Sequence, residues 1–295
     1  MDPTAQLQAQ QIGAAIFVVF MVLAVGLDVT TADLRGVFRR PRRLVAALFV
    51  NYLVVPAVVF GFVDAIQLPR AYAIGVLLVA AAPGGPVGAV LVQKSGGDVP
   101  FAVSLMAVSN VLNTVLTPAI ASVMGIVGAG SDVPVSGLVR SIVLFQLLPL
   151  ALAVAWRARH PVSALLARSW FDKGTKVVLA LAVVIGVAME ARRIADVPAV
   201  LVLAALAPPV VGLLAGGVLS SGNVRARGTV AVMTGFRSMS VVLLLVTAWF
   251  PTMETVLAAL VCSGLMLPVN AVGAAVVRQV SPAGTAGAGS GPEAR

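Results

Sequence analysis

Residues 228–250 read GTVAVMTGFRSMSVVLLLVTAWF, a stretch long enough to cross a bilayer but interrupted near its middle by a glycine and an arginine. Arg237 lies ten residues beyond Arg227, the nearest charge before the apolar stretch begins. Because a helix rises about 1.5 Å per residue, the guanidinium is predicted to lie roughly 15 Å deep, near the centre of a bilayer. A charge at that depth is costly and usually marks a substrate or ion pathway. The stretch therefore predicts both a membrane protein and the position of its functional site.

The whole chain has the composition of a polytopic membrane protein. Of its 295 residues, 60% are apolar and 11% are charged, against about 45–50% and about 25% in soluble domains. A net charge of +9 would suggest a nucleic-acid partner in a soluble protein. Here the basic residues cluster in short loops, so a bilayer and not a nucleic acid is the expected partner. No metal site is expected, and the single cysteine excludes an internal disulfide.

Nine apolar segments are each near the length needed to cross a bilayer, which predicts an all-α fold with about nine transmembrane helices. We label these spans A to I. They run approximately over 11–28 (A), 43–63 (B), 71–92 (C), 99–127 (D), 136–156 (E), 174–190 (F), 197–219 (G), 228–250 (H) and 252–277 (I).

The charges in the loops predict the orientation. Fifteen Lys and Arg residues lie in the A–B, C–D, E–F and G–H loops or after span I, and four lie in the opposite loops. Because positive loops stay in the cytoplasm, the N-terminus is predicted outside and the C-terminus inside, in the inner (plasma) membrane of the cell. Residues 1–10 would then be an extracytoplasmic segment, 11–278 the transmembrane transporter domain, and 279–295 a disordered cytoplasmic tail.

Helix breakers recur at the same spacing in two parts of the chain. Pro56 and Pro83 are 27 residues apart, and so are Pro208 and Gly235. The pattern predicts two repeats, over approximately 11–127 and 174–277, linked by the helix at 136–156.

The two repeats are predicted to have opposite orientations, because the second copy is displaced by five helices, an odd number. Inverted repeats with interrupted helices in matching positions are typical of secondary transporters, where the broken ends hold ions or substrate. The predicted breaks are at Pro83, Gly84, Gly85 and Pro86 in span C and at Gly235 in span H.

Three stretches resemble the bile acid:sodium symporter family, within the superfamily that also holds arsenite-efflux and auxin carriers. They are Gly26-Leu-Asp through Arg40-Pro41 to Asn51-Tyr-Leu-Val-Val-Pro56, then Ala82-Pro-Gly-Gly85 to Leu116-Thr-Pro118, and finally Thr234-Gly-Phe-Arg237. The resemblance implies a core domain with two crossing broken helices and a panel domain that moves against it. It also implies uptake of an organic anion driven by two sodium ions.

Most positions that the resemblance assigns to sodium ligands carry unsuitable side chains in this chain. The corresponding positions are Gly88, Ala89, Ala102, Met106, Met233 and Arg237, together with Asn51, which alone keeps an amide. Ala, Gly and Met supply no side-chain oxygen, and an arginine repels cations. The sequence therefore predicts that sodium coupling is lost, and no cofactor is expected.

Arg237 is predicted to supply, as a fixed charge, the positive potential that sodium supplies in the family. A guanidinium also binds carboxylate, phosphate or sulfonate through two parallel hydrogen bonds. Two interpretations stay open: Arg237 contacts an anionic substrate, or it bonds the carbonyl ends of broken span C as a permanent staple. The other predicted substrate-binding residues are Asn110, Asn113, Ser238, Thr234, Phe236 and Asn51.

The leading functional prediction is a secondary transporter of a small organic anion that works by alternating access without sodium. One alternative is a sodium-coupled symporter whose ions use backbone carbonyls and Asn51. Another is a ligand sensor on the same fold that no longer transports. An enzyme is not expected, because no nucleophile–base pair or metal cluster lies in the spans. Substrate identity, direction of transport and oligomeric state stay open.

Overall fold

The computed structural model describes residues 3–28, 30, 38, 40–127, 133–175, 177 and 197–280, and nearly all of them are helical. We number the helices of these residues α1 to α11 in chain order. They are α1 (Pro3–Gly26), α2 (Pro41–Ala65), α3 (Arg70–Ala81), α4 (Pro86–Lys94), α5 (Val99–Val123), α6 (Val135–Arg159), α7 (161–175), α8 (Ala199–Leu219), α9 (Val224–Gly235), α10 (Met239–Trp249) and α11 (Met253–Val280).

Five of these helices, α2, α5, α6, α8 and α11, are long and apolar enough to cross a membrane. The chain is therefore a polytopic membrane protein. Predicted spans C and H each contain two shorter helices, α3 with α4 and α9 with α10, because both spans are interrupted. Predicted span F (174–190) lies almost entirely outside the described residues, as does the predicted tail beyond Val280.

Helix α7 occupies a stretch that the sequence analysis treats as the E–F loop. It begins at Pro161, a residue that fits the first turn of a helix because its missing N–H has no partner to lose there. The helix packs on α1, where the rings of Phe20 and Phe171 meet edge to face with centroids 5.5 Å apart. Arg168 also forms an ion pair with Asp28 at 2.8 Å. The basic residues of this stretch thus led to the prediction of a loop, whereas the stretch forms a helix that lies against the end of α1.

The buried apolar side chains form one large cluster and two smaller ones. One large cluster joins α2 to α5, the start of α6, and α8 to α11. A smaller cluster joins α1 to the second half of α6 and to α10, through residues such as Val18, Leu150 and Leu244. A third links α1, α6 and α7. Helix α1 thus packs with α6, α7 and α10, at the side of the large cluster.

The loops meet at the two ends of the bundle in the combination that the charge pattern predicts. Asp98 in the C–D loop forms an ion pair with Arg43 at 3.1 Å, and its N–H donates to Thr229 Oγ1 at the start of span H at 2.9 Å. At the opposite end, Arg70 in the B–C loop donates to the carbonyl of Gly125, just after α5, at 3.4 Å. The alternation of loops therefore holds for these spans, while the side that faces the cytoplasm stays a prediction.

Two of the long helices contain a π-helical turn, Val50–Val54 in α2 and Val143–Leu147 in α6. Each turn ends two residues before a proline, which has no N–H to continue the ordinary ladder. Each also carries one fully buried amide side chain, Asn51 in α2 and Gln146 in α6. The wider turns thus point amide groups into the bundle.

Gly212 in α8 is predicted to tolerate no side chain. A Cβ at this position would overlap the carbonyl oxygen of Thr234 and lie 2.8 Å from the Cα of Gly235. Overpacking of this kind typically costs about 1–3 kcal/mol, so we expect Gly212→Ala to lower the thermal denaturation midpoint of the detergent-purified protein.

The matched control for this substitution is Gly264→Ala in α11. A Cβ there meets nothing within 4 Å, and replacing an unconstrained helical glycine favours the helix. Equal midpoints for the two variants would contradict the close packing of α8 on α9.

Candidate functional site at the crossing of two broken helices

The two interrupted spans cross at their breaks. Pro83 and Arg237 form an antiparallel bridge between the two extended segments. The N–H of Ser238 donates to the carbonyl of Ala82 at 2.7 Å. Gly84 adopts a φ of +97°, a conformation that favours glycine. The predicted breakpoints Pro83, Gly84, Gly85 and Pro86 lie between α3 and the first turn of α4, and Gly235 is the last residue of α9.

Arg237 is completely buried at this crossing. Its Nε donates to the carbonyl of Val79 at 3.1 Å. Its Nη1 donates to Asn51 Oδ1 at 2.8 Å and to the carbonyl of Thr234 at 3.4 Å. Its Nη2 donates to the carbonyl of Asn51 at 3.2 Å and to that of Ala80. A guanidinium has five N–H donors, and five protein oxygens accept from this one.

Most of these oxygens belong to helix ends. Val79 and Ala80 lie in the last turn of α3, at the negative end of the helix dipole, and the carbonyl of Val79 also accepts from the N–H of Ala82 at 3.3 Å. No carboxylate pairs with Arg237 among the described residues. Two interpretations of Arg237 were left open above. The hydrogen bonds in this conformation correspond to the second, in which Arg237 bonds the carbonyl ends of the broken helix. A bond from Arg237 to a substrate would require the crossing to release one of these oxygens.

Side chains of α5 and α2 hold the first break in place. Asn113 Nδ2 donates to the carbonyl of Pro83 at 2.8 Å, and Asn113 Oδ1 accepts from the hydroxyl of Tyr52 at 2.8 Å. Thr117 Oγ1 donates to the carbonyl of Ala81 at 3.0 Å. Each exposed carbonyl of the broken helix thus receives a donor, as the membrane interior requires. In this conformation the amide of Asn113 donates its hydrogen bond to the backbone.

The second break is held in a similar way by α8 and α11. Thr234 Oγ1 donates to the carbonyl of Gly212 at 2.6 Å. Asn270 Nδ2 donates to the carbonyl of Gly235 at 3.0 Å. Phe236 is buried within the large apolar cluster. Predicted substrate-binding residues Thr234 and Phe236 therefore lie behind the crossing in this conformation.

A narrow cleft opens beside the crossing, between α1 and the core. Its volume of about 10 Å3 is just enough for one water molecule. Of the seven predicted substrate-binding residues, Asn110 and Ser238 line it. The lining residues are Met21, Val22 and Val25 on α1 and Gly84, Pro86, Asn110, Ser238 and Ser240 on the core.

Polar groups around Asn110 have unused hydrogen-bonding capacity. Gln146 Nε2 in α6 donates to Asn110 Oδ1 at 3.1 Å. Gln146 Oε1 and the hydroxyls of Ser109 and Thr114 are buried with no partner among the described residues. Buried polar atoms without partners are costly. None of these three residues lines the cleft itself, whose polar side chains are those of Asn110, Ser238 and Ser240.

The side chains at five of the predicted sodium-ligand positions do not fit a sodium ion. Gly88 lies beside Met233, whose sulfur would be 3.2 Å from a Cβ at position 88. None of the five side chains carries an oxygen, so only backbone carbonyls would remain for a cation there. The other four positions lie in or against the large apolar cluster and are Ala89, Ala102, Met106 and Met233.

The sequence analysis missed two residues of this site, Tyr52 and Asn270, and gave Gln146 no role in it. These residues and the other polar residues at the breaks share a signal in the sequence. Each lies within five positions of a proline inside an apolar helix. A proline removes a helix hydrogen bond and so creates a place for a side-chain amide or hydroxyl. The pairs are Asn51 and Tyr52 with Pro56, Thr117 with Pro118, Gln146 with Pro149, and Asn270 with Pro268.

Comparison with known proteins gives one family match. The model of the sodium bile acid symporter family matches residues 15–197, more than half of the chain. The match includes the first broken helix and ends before the second.

Individual relatives share part of the chain. The human P3 protein is 27% identical over 72% of this chain and 46% of its own length. The rice probable sodium/metabolite cotransporter BASS2, chloroplastic, is 29% identical over 57% of this chain and 37% of its own. The uncharacterized sodium-dependent transporter YocS of Bacillus subtilis is 29% identical over 35% of this chain and 32% of its own. The chain thus spans less than half the length of each of these relatives.

Replacing Arg237 by methionine tests whether its hydrogen bonds hold the crossing together. Arg237→Met leaves the carbonyl of Ala80 without this donor, whereas that of Val79 still accepts from the N–H of Ala82 at 3.3 Å, and an unsatisfied buried group costs about 1–3 kcal/mol. We expect a lower thermal midpoint than in Arg140→Met, the control, whose arginine is exposed on α6. An unchanged midpoint would mean that the saved cost of burying the charge offsets the lost bonds.

Proposed function

This chain belongs to the sodium bile acid symporter family, a family of transporters and not of enzymes, and we propose that it carries a small organic anion without needing sodium. The observation that carries the proposal is the guanidinium of Arg237, enclosed by five protein oxygens at the crossing of the broken helices. A bound sodium ion would also be a cation enclosed by oxygen ligands. The guanidinium of Arg237 differs in that it is covalently part of the chain.

The fixed charge would attract an anion through the protein. Ser238, the next residue along the chain, lines the cleft, and we propose that an anion bound there is close enough to be attracted by the guanidinium. Two opposite charges about 8 Å apart interact by roughly 2 kcal/mol at an effective dielectric constant of about 20. Such attraction needs no hydrogen bond between Arg237 and the substrate, and it is present in every cycle because the charge cannot dissociate.

The cleft favours an amphipathic anion, such as a steroid acid. Met21, Val22 and Val25 offer an apolar wall on α1. Asn110 and Ser238 offer polar groups on the core wall, and we propose them as the residues that contact the substrate. Asn51, Asn113, Thr234 and Phe236 would support the crossing from behind. Because the cleft is nearly closed here, binding requires α1 to move away from the core.

The packing of the helices supports such a movement. Helices α1 and α7 and the second half of α6 share two small apolar clusters that meet the core at α10, and we propose these helices as the panel. The core would contain α2 to α5 and α8 to α11, whose order of long helix, broken pair and long helix occurs twice. We further propose that the copies are inverted repeats, that 174–190 completes nine spans, and that the N-terminus faces outside the plasma membrane.

A second candidate is a sodium-coupled symporter. The names of two relatives favour it, since one is a sodium-dependent transporter and another a probable sodium/metabolite cotransporter. Sodium would then be held by backbone carbonyls with the amide of Asn51, although that amide already accepts from Arg237 at 2.8 Å.

Removing the charge of Arg237 separates the two candidates. We expect cholate, used as a test anion, to raise the thermal midpoint of the wild type equally in sodium and in choline buffer. Arg237→Gln should lose most of this response, by about thirtyfold in apparent affinity if roughly 2 kcal/mol of attraction is lost. Arg140→Gln is the control for removal of an exposed charge.

Either of two results would contradict this expectation. A response of the wild type that requires sodium would favour the coupled symporter. Stabilisation without uptake of radiolabelled cholate by proteoliposomes would favour a sensor that does not transport.

Shortening Asn110 tests the position of the substrate. Asn110→Ala removes a polar group that lines the cleft. A hydrogen bond to a charged group contributes about 1.5–3 kcal/mol, so we expect uptake in proteoliposomes to show a KM raised about tenfold or more.

The control for Asn110→Ala is Ser263→Ala, which removes a hydroxyl in α11 that donates to Met239 Sδ at 2.8 Å outside the cleft. An equal KM in the two variants would place the substrate elsewhere.

A further inference from the structure

A second cavity lies at the end of the bundle where the A–B, C–D and G–H loops meet. Its volume is about 410 Å3, within the range of roughly 300–1,000 Å3 for small-molecule sites. It is far larger than the cleft at the crossing, and none of its lining residues belongs to that cleft. The lining residues are Arg40, Arg43, Gly97, Asp98, Val99, Pro100, Asn223, Arg225 and Ala226.

The cavity has an excess of positive charge. Three arginines line it, and Asp98 is the single carboxylate among its lining residues. Arg40 and Arg43 both bond the same atom, Asp98 Oδ2. Arg225 donates to the carbonyl of Gly97 at 3.1 Å and forms no ion pair with any described residue. Two of the three guanidinium charges are therefore left without a balancing carboxylate in the described protein.

The cavity wall is held in place by contacts on its far side. The guanidinium of Arg43 lies 5.3 Å from the centre of the Phe101 ring, and its side chain is only 17% exposed. Asp98 Oδ1 accepts from the N–H of Phe101, and Asp98 N–H donates to Thr229 Oγ1 at 2.9 Å. These contacts fix two of the charged groups before any ligand arrives. A pre-ordered site loses less entropy on binding.

The positive-inside rule explains why arginines occur in these loops, but it does not require them to converge. Arg227 and Arg278 contribute equally to the loop charge and do not line the cavity. Arg40, Arg43 and Arg225 come from two different loops, 182 or more residues apart in the chain, and face one space. Convergence of this kind is typical of recognition of an anion.

We propose that this cavity binds a phosphate group. Guanidinium groups match phosphate oxygens through paired hydrogen bonds, and the excess charge suits a group that carries one or two negative charges. Helices α5 and α9 also start at the cavity, so their positive dipole ends add to the attraction. The group can belong to free phosphate or to the headgroup of an anionic lipid at the membrane surface. A bound phosphate would join the ends of α2, α5 and α9.

This proposal is independent of the transport proposal and is tested by binding. The thermal midpoint of detergent-purified protein is followed while potassium phosphate is added, with potassium chloride at equal ionic strength as reference. A second arm adds dioctanoyl phosphatidic acid, with dioctanoyl phosphatidylcholine as reference. Arg225→Gln is compared with Arg227→Gln, since Arg227 also donates to one carbonyl, that of Gly217 at 2.8 Å, but lies outside the cavity.

We expect phosphate or phosphatidic acid to raise the midpoint of the wild type. The apparent affinity should fall about tenfold in Arg225→Gln, through the loss of a charge-assisted hydrogen bond, and stay unchanged in Arg227→Gln. A response in both arms identifies free phosphate as sufficient, and a response in the lipid arm alone identifies the headgroup. The proposal is overturned if neither arm responds, if chloride acts equally, or if both variants lose the response to the same extent. Arg40→Gln, at a half-exposed position, replaces Arg225→Gln if the latter fails to fold.

Discussion

A helix that breaks inside a bilayer leaves carbonyl oxygens that no water can reach, and these oxygens must find donors within the protein. In this chain the donors at the end of α3 come largely from one side chain, Arg237. The same guanidinium bonds Asn51 in α2 and the carbonyl of Thr234 at the end of α9. It thereby joins α2 to the broken ends of α3 and α9. The positions of Asn113, Thr117 and Asn270 follow the same requirement, because each donates to a carbonyl at or beside a break.

Under the proposed function, the crossing also determines where a substrate binds. Buried oxygens without a partner among the described residues occur on both sides of it: Ser109 Oγ and Gln146 Oε1 near Asn110, and Asn270 Oδ1 on α11. Helix α1 covers the side near Asn110 with apolar side chains and packs with α6 and α7. A movement of this smaller group would expose the polar wall without disturbing Arg237. The arrangement separates the part that must stay intact in the membrane from the part that can move.

Much of the fold was predictable from the sequence, because apolar length and charged loops report directly on contact with lipid and water. The breaks at Pro83–Pro86 and Gly235 were predictable as well, since proline and glycine act locally. The partners of Arg237 were not, because they are backbone carbonyls, which every residue has. Tyr52 and Asn270 were missed for a related reason: their importance depends on which carbonyl lies opposite, 57 and 35 residues away in the chain. Helix α7 was missed because Arg168 and Lys173 made the segment resemble a topological loop.

The five hydrogen bonds of Arg237 hold a cation that stays in the protein, and this affects the energy available for transport. A sodium ion enters and leaves with the substrate and so transfers the energy of its gradient, but a guanidinium attached to the chain performs no such work. Under the proposed mechanism an anion crosses the membrane with its own charge uncompensated. A potential that is negative inside then opposes its entry by about 2.3 kcal/mol per charge and per 100 mV. Net flow would therefore run outward at equal concentrations, and accumulation inside the cell would require exchange for a second anion.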